Sequence, residues 1–172
     1  MQNIGFIGTG LMGFPMAKNI LKAGYKVRAF NRSKNKAEPL KDFGAEISNS
    51  IGELVKESHV VITMLTNDDA VNKVIGSDEF LNNLKPNSTV IDMSSVKQTT
   101  AVNHGKNLKS RKINYLDAPV SGGTIGAEEA SLAIMIGGEQ IVFESVKDIL
   151  KSMGNPTLVG TIGCGQISKL AN

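Results

Sequence analysis

Short apolar segments recur along this chain and are separated by longer segments with helical periodicity. The short segments are rich in β-branched residues and are predicted strands: Ile4–Ile7, Lys26–Phe30, Val60–Met64, Thr89–Asp92, Ile113–Leu116, Leu132–Ile136 and Thr157–Val159. The predicted helices are Leu11–Ala23, Ser33–Phe43, Ser50–Lys56, Thr99–Lys109, Ile141–Ser152 and a last one beginning at Gln166. Uniformly apolar strands that alternate with helices indicate a parallel sheet covered on both faces. We therefore predict a doubly wound α/β fold with a mostly parallel sheet.

A glycine-rich turn follows the first predicted strand and opens the first predicted helix. Its G-x-G-x-x-G pattern is formed by Gly8, Thr9, Gly10, Leu11, Met12 and Gly13. In a Rossmann-type fold, the first glycine permits a tight turn, the second lets the backbone approach a pyrophosphate, and the third lets helix and strand pack closely. The helix N-terminus adds unpaired N–H groups and a positive dipole end. We predict a dinucleotide-binding site here; the alternative is a purely structural turn.

The end of the second predicted strand distinguishes between two dinucleotides. NAD-binding domains of this type carry an acid there that accepts hydrogen bonds from the ribose hydroxyls. This chain has Asn31, Arg32 and Ser33 instead. An acid would repel a 2′-phosphate, whereas Arg32 offers a planar bidentate donor to one. The pattern favours NADP as the cofactor, with NAD as the alternative if Arg32 is only a solvated loop residue.

Two further turns lie at the carboxyl ends of predicted strands. Met64 and Leu65 stand at the end of the strand that begins at Val60, and Ser95 follows the strand that ends at Asp92. Ligands bind at the carboxyl ends of strands in open α/β sheets. We therefore expect Met64, Leu65 and Ser95 to contact the cofactor; the alternative is that they serve the fold alone.

Charge and composition narrow the classes of function. The formal net charge is +3 and no long basic block occurs, so we expect no nucleic-acid partner. No apolar run approaches the roughly eighteen residues of a membrane span. The apolar run at the N-terminus has no basic region before it, so we expect no signal peptide and a cytoplasmic location. The single cysteine, Cys164, cannot form an internal disulfide or a thiolate cluster, and we predict no metal site.

Motifs at four places, in a consistent order, resemble those of one enzyme family. They are Phe6–Ile20, Ile91–Ser95, Asp117–Gly123 and Gly163–Asn172. On these motifs the chain resembles the β-hydroxyacid dehydrogenases, which include 3-hydroxyisobutyrate dehydrogenase, tartronate semialdehyde reductase and the glyoxylate/succinic semialdehyde reductases. The resemblance implies an oxidoreductase that transfers a hydride between NADP(H) and a short β-hydroxy acid or its semialdehyde. The main expectation is an enzyme like 3-hydroxyisobutyrate dehydrogenase, and the alternative within the family is a glyoxylate/succinic semialdehyde reductase.

The resemblance also assigns roles at the substrate end. Ser121, Gly122 and Gly123 look like the family's substrate loop, whose backbone N–H groups and serine hydroxyl hold the substrate carboxylate. Lys169 corresponds to the catalytic lysine. An ammonium group there would stabilise the negative charge that develops on a carbonyl oxygen as hydride arrives, and would supply the proton. Without the resemblance, the loop would be interpreted as a plain turn and the lysine as a solvated charge.

The chain departs from the family's pattern at Thr66, where the hydroxyisobutyrate branch has a proline. The asparagine that the family places four residues after its lysine would lie just past Asn172. We expect a cofactor-binding domain over residues 1–162 and the start of an interdomain helix over residues 163–172, leading to the all-helical domain of the family. By the same resemblance, we expect the full-length protein to be a homodimer or homotetramer acting on a small carboxylate-bearing substrate.

Two other classes of function are alternatives to a β-hydroxyacid dehydrogenase. Imine reductases resemble this family but usually lack the lysine, so Lys169 argues against that class. A non-catalytic dinucleotide-binding module is the alternative outside the enzymes, and the lysine is typically replaced there too. We expect the 172 residues alone to bind NADP but to turn over poorly, because the helical domain supplies the rest of the substrate pocket in this family.

Overall fold

The computed structural model describes residues 2–172; Met1, the first residue of the predicted cofactor-binding domain, lies outside them. The strands are β1 Asn3–Ile7, β2 Lys26–Phe30, β3 Glu46–Ile47, β4 Val60–Thr63, β5 Thr89–Asp92, β6 Asn114–Asp117, β7 Val120–Ser121, β8 Leu132–Gly137 and β9 Gly154–Gly160. The α-helices are α1 Gly13–Lys22, α2 Ile51–Lys56, α3 Asp68–Ile75, α4 Asp78–Asn83, α5 Gln98–Ser110, α6 Gly123–Glu129, α7 Gln140–Lys151 and α8 Cys164–Ala171. Two short 3₁₀ helices cover Lys34–Lys36 and Glu38–Phe43.

Within residues 2–172, the strands form one nine-stranded sheet in the order β3-β2-β1-β4-β5-β6-β8-β7, with β9 paired to β8. Strands β1 to β6 pair in parallel, whereas β8 runs antiparallel to β6 and β7 and parallel to β9. Ile7 pairs with Thr63, Thr63 with Asp92, and Asp92 with Asp117. The carboxyl ends of β1, β4, β5 and β6 are therefore level along one edge of the sheet. The predicted doubly wound, mostly parallel fold is confirmed.

Apolar side chains cover both faces of the sheet, as buried parallel strands require. On one face, Phe6 of β1 lies in a cluster with Met16 and Ile20 of α1. On the other face, Ile7 lies in a cluster with Leu54 of α2 and Phe80 of α4. The alternation of Phe6 and Ile7 places the two clusters on opposite sides of the same strand. β1 is therefore an interior strand, and it lies beside β4 where the strand order reverses, the position at which open α/β sheets bind ligands.

The structure differs from the sequence prediction where local signals conflict. Residues 34–36 and 38–43 form two 3₁₀ helices instead of one α-helix, because Pro39 has no N–H group to continue an α-helical hydrogen-bond ladder through this segment. Ser33 accordingly makes no side-chain capping bond. The glycines predicted to end the first two helical segments are correct. Gly24 follows α1 and Gly44 follows the second 3₁₀ helix, with left-handed φ angles of 97° and 100°.

Several short elements were not predicted: β3, β7, α3, α4 and α6. Helix α1 begins at Gly13, so Leu11 and Met12 belong to the preceding turn, and Leu11 is exposed. Helix α8 begins at Cys164, two residues before the predicted start. Among the described residues, no helix combines the length and apolar character that crossing a membrane needs.

Candidate active site

The glycine turn after β1 has one position that is open to an outside group. A Cβ on Gly8, which has a φ of 101°, would collide with the carbonyl oxygen of Met64. A Cβ on Gly13 would collide with the carbonyl oxygen of Gly8. A Cβ on Gly10 would meet no atom within 4 Å. Gly8 and Gly13 are therefore required by packing, while Gly10 leaves free the approach that a pyrophosphate needs.

Hydrogen bonds from Thr9 connect this turn to the loop after β2. Its N–H donates to Oδ1 of Asn31 at 3.0 Å, and its hydroxyl donates to the carbonyl of Lys36 at 3.0 Å. Nδ2 of Asn31 donates in turn to the carbonyl of Ser33 at 3.0 Å. A carboxylate could accept the first of these bonds but could not donate the last. An amide at position 31 therefore serves the loop itself, a role that the sequence alone does not indicate.

A cleft of about 470 Å³ opens beside the turn, at the carboxyl ends of β1, β2 and β4. Of the residues predicted to hold the cofactor, it is lined by Gly8, Gly10, Asn31, Arg32, Ser33, Met64 and Leu65. The cations Arg32, Lys36 and Lys73 also line it, and no carboxylate does. Arg32 is exposed and forms no salt bridge with any residue from 2 to 172. The charge of the cleft suits an anionic ligand.

The remaining predicted cofactor residues lie around the cleft rather than in it. Thr9 and Leu11 line a second cleft of about 610 Å³ on the α1 side of the turn, which Gly10 also borders. Met12 packs against the core, and Gly13 is buried at the start of α1. Ser95 is exposed beyond β5. The contacts of these residues with a cofactor stay predictions.

The turn after β5 holds the wall of the cleft through a buried carboxyl group. Oδ1 of Asp92 accepts from the Thr63 hydroxyl at 2.9 Å and from the N–H of Ser94 at 3.1 Å. Burial raises the pKa of Asp92 to about 6. Oγ of Ser94 accepts from the N–H of Leu65 at 2.8 Å. Ser94 therefore links this turn to the cleft, and its burial is a tertiary property that a run of two serines does not reveal. The contact of Ser95 with the cofactor stays a prediction.

Asp117, at the end of β6, anchors the helix that carries Lys169. Its Oδ1 accepts from the N–H of Gly163 at 2.7 Å, and its Oδ2 accepts from the N–H of Gln166 at 3.0 Å. Gly163 has no side chain to cap α8, so the distant carboxylate takes that function. Burial raises the pKa of Asp117, while these backbone N–H groups act in the opposite direction. In the sequence, Asp117 stands out only as the first residue of the Asp117–Gly123 motif.

Lys169 and the predicted substrate loop meet in the structure. Nζ of Lys169 donates to the carbonyl of Val120 at 2.7 Å, across 49 positions of sequence. Ser121 follows directly, and Gly122 and Gly123 then turn the exposed chain into α6 with φ angles of 138° and 63°. An ammonium group thus lies against a loop whose glycines can present backbone N–H groups to an anion. The arrangement can bind a carboxylate and supply a proton beside it.

Residues 2–172 contain no cluster of three or more His, Cys, Asp or Glu side chains placed to hold an ion. Cys164 begins α8, where its Sγ lies 3.8 Å from the hydroxyl of Thr161.

Comparison with known proteins identifies the family. Residues 3–164 match the family described as the NAD binding domain of 6-phosphogluconate dehydrogenase. The chain is 40% identical to the uncharacterized oxidoreductase YkwC of Bacillus subtilis (strain 168), over 99% of this chain and 60% of that protein. It is 38% identical to the mitochondrial 3-hydroxyisobutyrate dehydrogenase of Drosophila melanogaster, over 99% of this chain and 53% of that protein.

A solved structure agrees with these relatives. The 3-hydroxyisobutyrate dehydrogenase of Mycobacterium tuberculosis with L-serine superposes with a TM-score of 0.96 at 35% identity, over 100% of this chain and 59% of that one. The chain thus spans little more than half the length of the proteins it matches. It belongs to the β-hydroxyacid dehydrogenase family and corresponds to that family's N-terminal, NAD(P)-binding domain.

Proposed function

We propose that the whole protein is an oxidoreductase that transfers a hydride between NADP(H) and a short β-hydroxy acid or its semialdehyde. One observation carries the proposal: Lys169 lies 2.7 Å from the carbonyl of Val120, beside the Ser121–Gly123 loop. Lys169 lies on α8, whose start is bonded to Asp117 at the carboxyl end of β6. The glycine turn follows the carboxyl end of β1, which lies at the same edge of the sheet. The likeness to proteins named 3-hydroxyisobutyrate dehydrogenase supports the same chemistry.

The residues of the cleft fit a dinucleotide. The open side of Gly10 and the N-terminus of α1 would receive the pyrophosphate. Arg32, with Lys36 beside it, would receive a 2′-phosphate. Lys34 is less suited, since its Nζ donates to Oδ1 of Asn49 at 2.8 Å. When bound, the nicotinamide ring supplies or accepts the hydride.

The substrate would be held by the loop and protonated by the lysine. The Ser121 hydroxyl and the backbone N–H groups of Gly122 and Gly123 would bind its carboxylate. Lys169 would exchange its bond to the Val120 carbonyl for one to the reacting oxygen of the substrate. As that oxygen gains negative charge during reduction, the ammonium group stabilises it and passes on a proton; in the reverse direction the neutral amine accepts the hydroxyl proton.

We also propose a covering domain and a cytoplasmic homodimer or homotetramer for the whole protein. Ile125, just after the substrate loop, is 68% exposed, and Leu170, next to Lys169, is 82% exposed. Contiguous exposed apolar surface marks a site that a partner surface covers, and we propose that these two side chains contribute to such a surface. An all-helical domain that closes over them, as the family resemblance implies, would give them one and exclude water from the reaction.

A substrate and cofactor screen of the whole protein tests the proposal. Steady-state rates with glyoxylate, succinic semialdehyde, tartronate semialdehyde and 3-hydroxyisobutyrate would be measured with each of NADP(H) and NAD(H). Thr66 lies in the cleft in place of the proline of the hydroxyisobutyrate branch, so glyoxylate and succinic semialdehyde, the substrates of the alternative branch, are a necessary part of the panel. Turnover with at least one of these substrates is expected. Intact NADPH binding with no turnover on any of them would favour the non-catalytic module.

The same screen tests the cofactor preference through Arg32→Ala. We expect this substitution to lower kcat/KM for NADPH by about 10- to 100-fold, the value of one charge-assisted hydrogen-bond pair, and to leave NADH unaffected. Arg111→Ala is the matched control, since Arg111 is an exposed arginine at the end of α5, outside the cleft. A wild-type preference for NADH would contradict the role given to Arg32.

A further inference from the structure

Gln166 is a buried polar side chain to which the proposed chemistry assigns no role. It lies in the first turn of α8 and is 2% exposed. Both ends of its amide are engaged: Nε2 donates to the carbonyl of Ser94 at 2.9 Å, and Oε1 accepts from the N–H of Val96 at 3.1 Å. These partners lie 72 and 70 positions away along the chain, in the turn between β5 and α5. A single side chain thus joins α8 to that turn.

The same turn is joined to the dinucleotide cleft. Oγ of Ser94 accepts from the N–H of Leu65, and Leu65 lines the cleft. Hydrogen bonds therefore run without a break from the cleft wall, through Ser94, to the Gln166 amide. Gln166 also donates its own N–H to Asp117, so its backbone and its side chain are fixed independently.

Lys169 follows Gln166 by three residues, about one helical turn. Residues at this spacing are neighbours on a helix surface, so the direction of Gln166 sets that of Lys169. Helix α8 has only eight residues and begins among glycines, and such a short helix does not hold its geometry unaided. Polar anchors fix the first turn of this helix, and one turn further along Nζ of Lys169 reaches the Val120 carbonyl.

We propose that Gln166 is a positioning residue that couples the dinucleotide cleft to Lys169: a dinucleotide that orders Leu65 also orders, through Ser94 and Gln166, the helix that presents the lysine. The reaction assigned to Lys169 rests on the proposed function, whereas the coupling between cleft and helix does not. The coupling is a binding property and is measurable without any turnover.

The kinetic test compares Gln166→Met with Gln140→Met in the whole protein. Methionine keeps the size of the side chain and removes both hydrogen bonds. Gln140, the exposed first residue of α7, is the matched control. We expect Gln166→Met to lower kcat on the order of 10- to 100-fold, as misplaced catalytic groups do, with KM for NADPH within about twofold. An unchanged kcat per folded molecule would overturn the positioning role, even if the variant were less stable.

The second test follows amide hydrogen exchange over residues 163–171 with and without NADPH. We expect NADPH to slow exchange at least about fivefold in the wild type, and much less in Gln166→Met although it still binds NADPH. Ser94→Ala removes the hydroxyl that accepts from the N–H of Leu65 and changes the side-chain volume little. We expect it to reduce the NADPH-dependent protection as Gln166→Met does, so it provides the test if Gln166→Met fails to fold. Protection that is absent in the wild type, or equal in both variants and the wild type, overturns the coupling. Protection without turnover would instead refute the proposed function alone.

Discussion

Gly10→Ala should separate binding of the dinucleotide from folding. Gly10 is the one glycine of the turn whose Cβ would meet no atom within 4 Å, and its φ lies outside the left-handed region. Alanine at such a position stabilises proteins by about 0.4–1 kcal/mol, because it restricts the unfolded chain. The variant should therefore be at least as stable as the wild type.

The cost of the same methyl group should appear in cofactor binding. It would occupy the space that lets the backbone approach the pyrophosphate, and so would remove at least one hydrogen bond to a charged group. Such bonds contribute about 1.5–3 kcal/mol, which corresponds to a rise in Kd of roughly 10- to 150-fold. Titration of NADPH fluorescence gives the Kd, and urea unfolding gives the free energy of unfolding on the same sample.

Gly24→Ala is the matched control at the opposite end of α1. Its Cβ is equally unobstructed, but its φ is 97°, so alanine there should cost about 1–2 kcal/mol of stability and leave the Kd unchanged. The two alanines should thus show opposite patterns. An unchanged NADPH affinity in Gly10→Ala would refute the assignment of this turn to the pyrophosphate, and a marked loss of stability would refute the geometry from which the prediction is made.

Two further predictions concern side chains at the carboxyl edge of the sheet. Lys169→Met should lower kcat by about 10²- to 10⁴-fold without changing the Kd for NADPH, as stopped-flow and binding measurements would show; a kcat close to that of the wild type would remove Lys169 from the chemistry. Burial raises the pKa of Asp92 from an ordinary 3.8 to about 6. The folded state therefore binds the proton more tightly than the unfolded state, so this group stabilises the fold at acidic pH and that contribution is lost as the pH rises to 6. Relative to the wild type, the free energy of unfolding of Asp92→Asn should rise by about 2 kcal/mol between pH 4 and 7 in urea titrations, whereas a constant difference would contradict the shift.

The parts of the fold that were predictable are those with local causes. The turn from Gly8 to Gly13 is such a case, because strand, glycines and helix follow one another directly. Helices α3 and α4 were missed although each has a capping residue: the side chains of Asn67 and Ser77 accept from the N–H groups of Ala70 and Phe80. These helices have only eight and six residues, so each offers few apolar positions from which a helical period can be recognised. Strands β3 and β7 have two residues each and exist only through pairing with their neighbours.

The candidate site was predictable in its outline but not in its connections. The family resemblance named Lys169 and Ser121, and the structure places the lysine against the residue before that serine. Asp117 and Gln166 hold the helix through contacts across long stretches of sequence, which no local pattern records. The proposed division of the chain at residue 162 is not tested by any feature of the structure, and it stays a prediction.

The central claim is that the whole protein transfers a hydride directly between the nicotinamide ring and its substrate. Transfer of deuterium from the cofactor to the substrate tests it most directly. The whole protein would reduce its semialdehyde substrate with NADPH deuterated at carbon 4 of the nicotinamide ring, on each face in turn, and mass spectrometry would locate the label. Direct hydride transfer predicts one deuterium on the new carbinol carbon for one of the two faces, and the same label, formed far more slowly, with Lys169→Met. A reduced product without deuterium from either face would contradict the account, as would no product from an enzyme that binds both ligands.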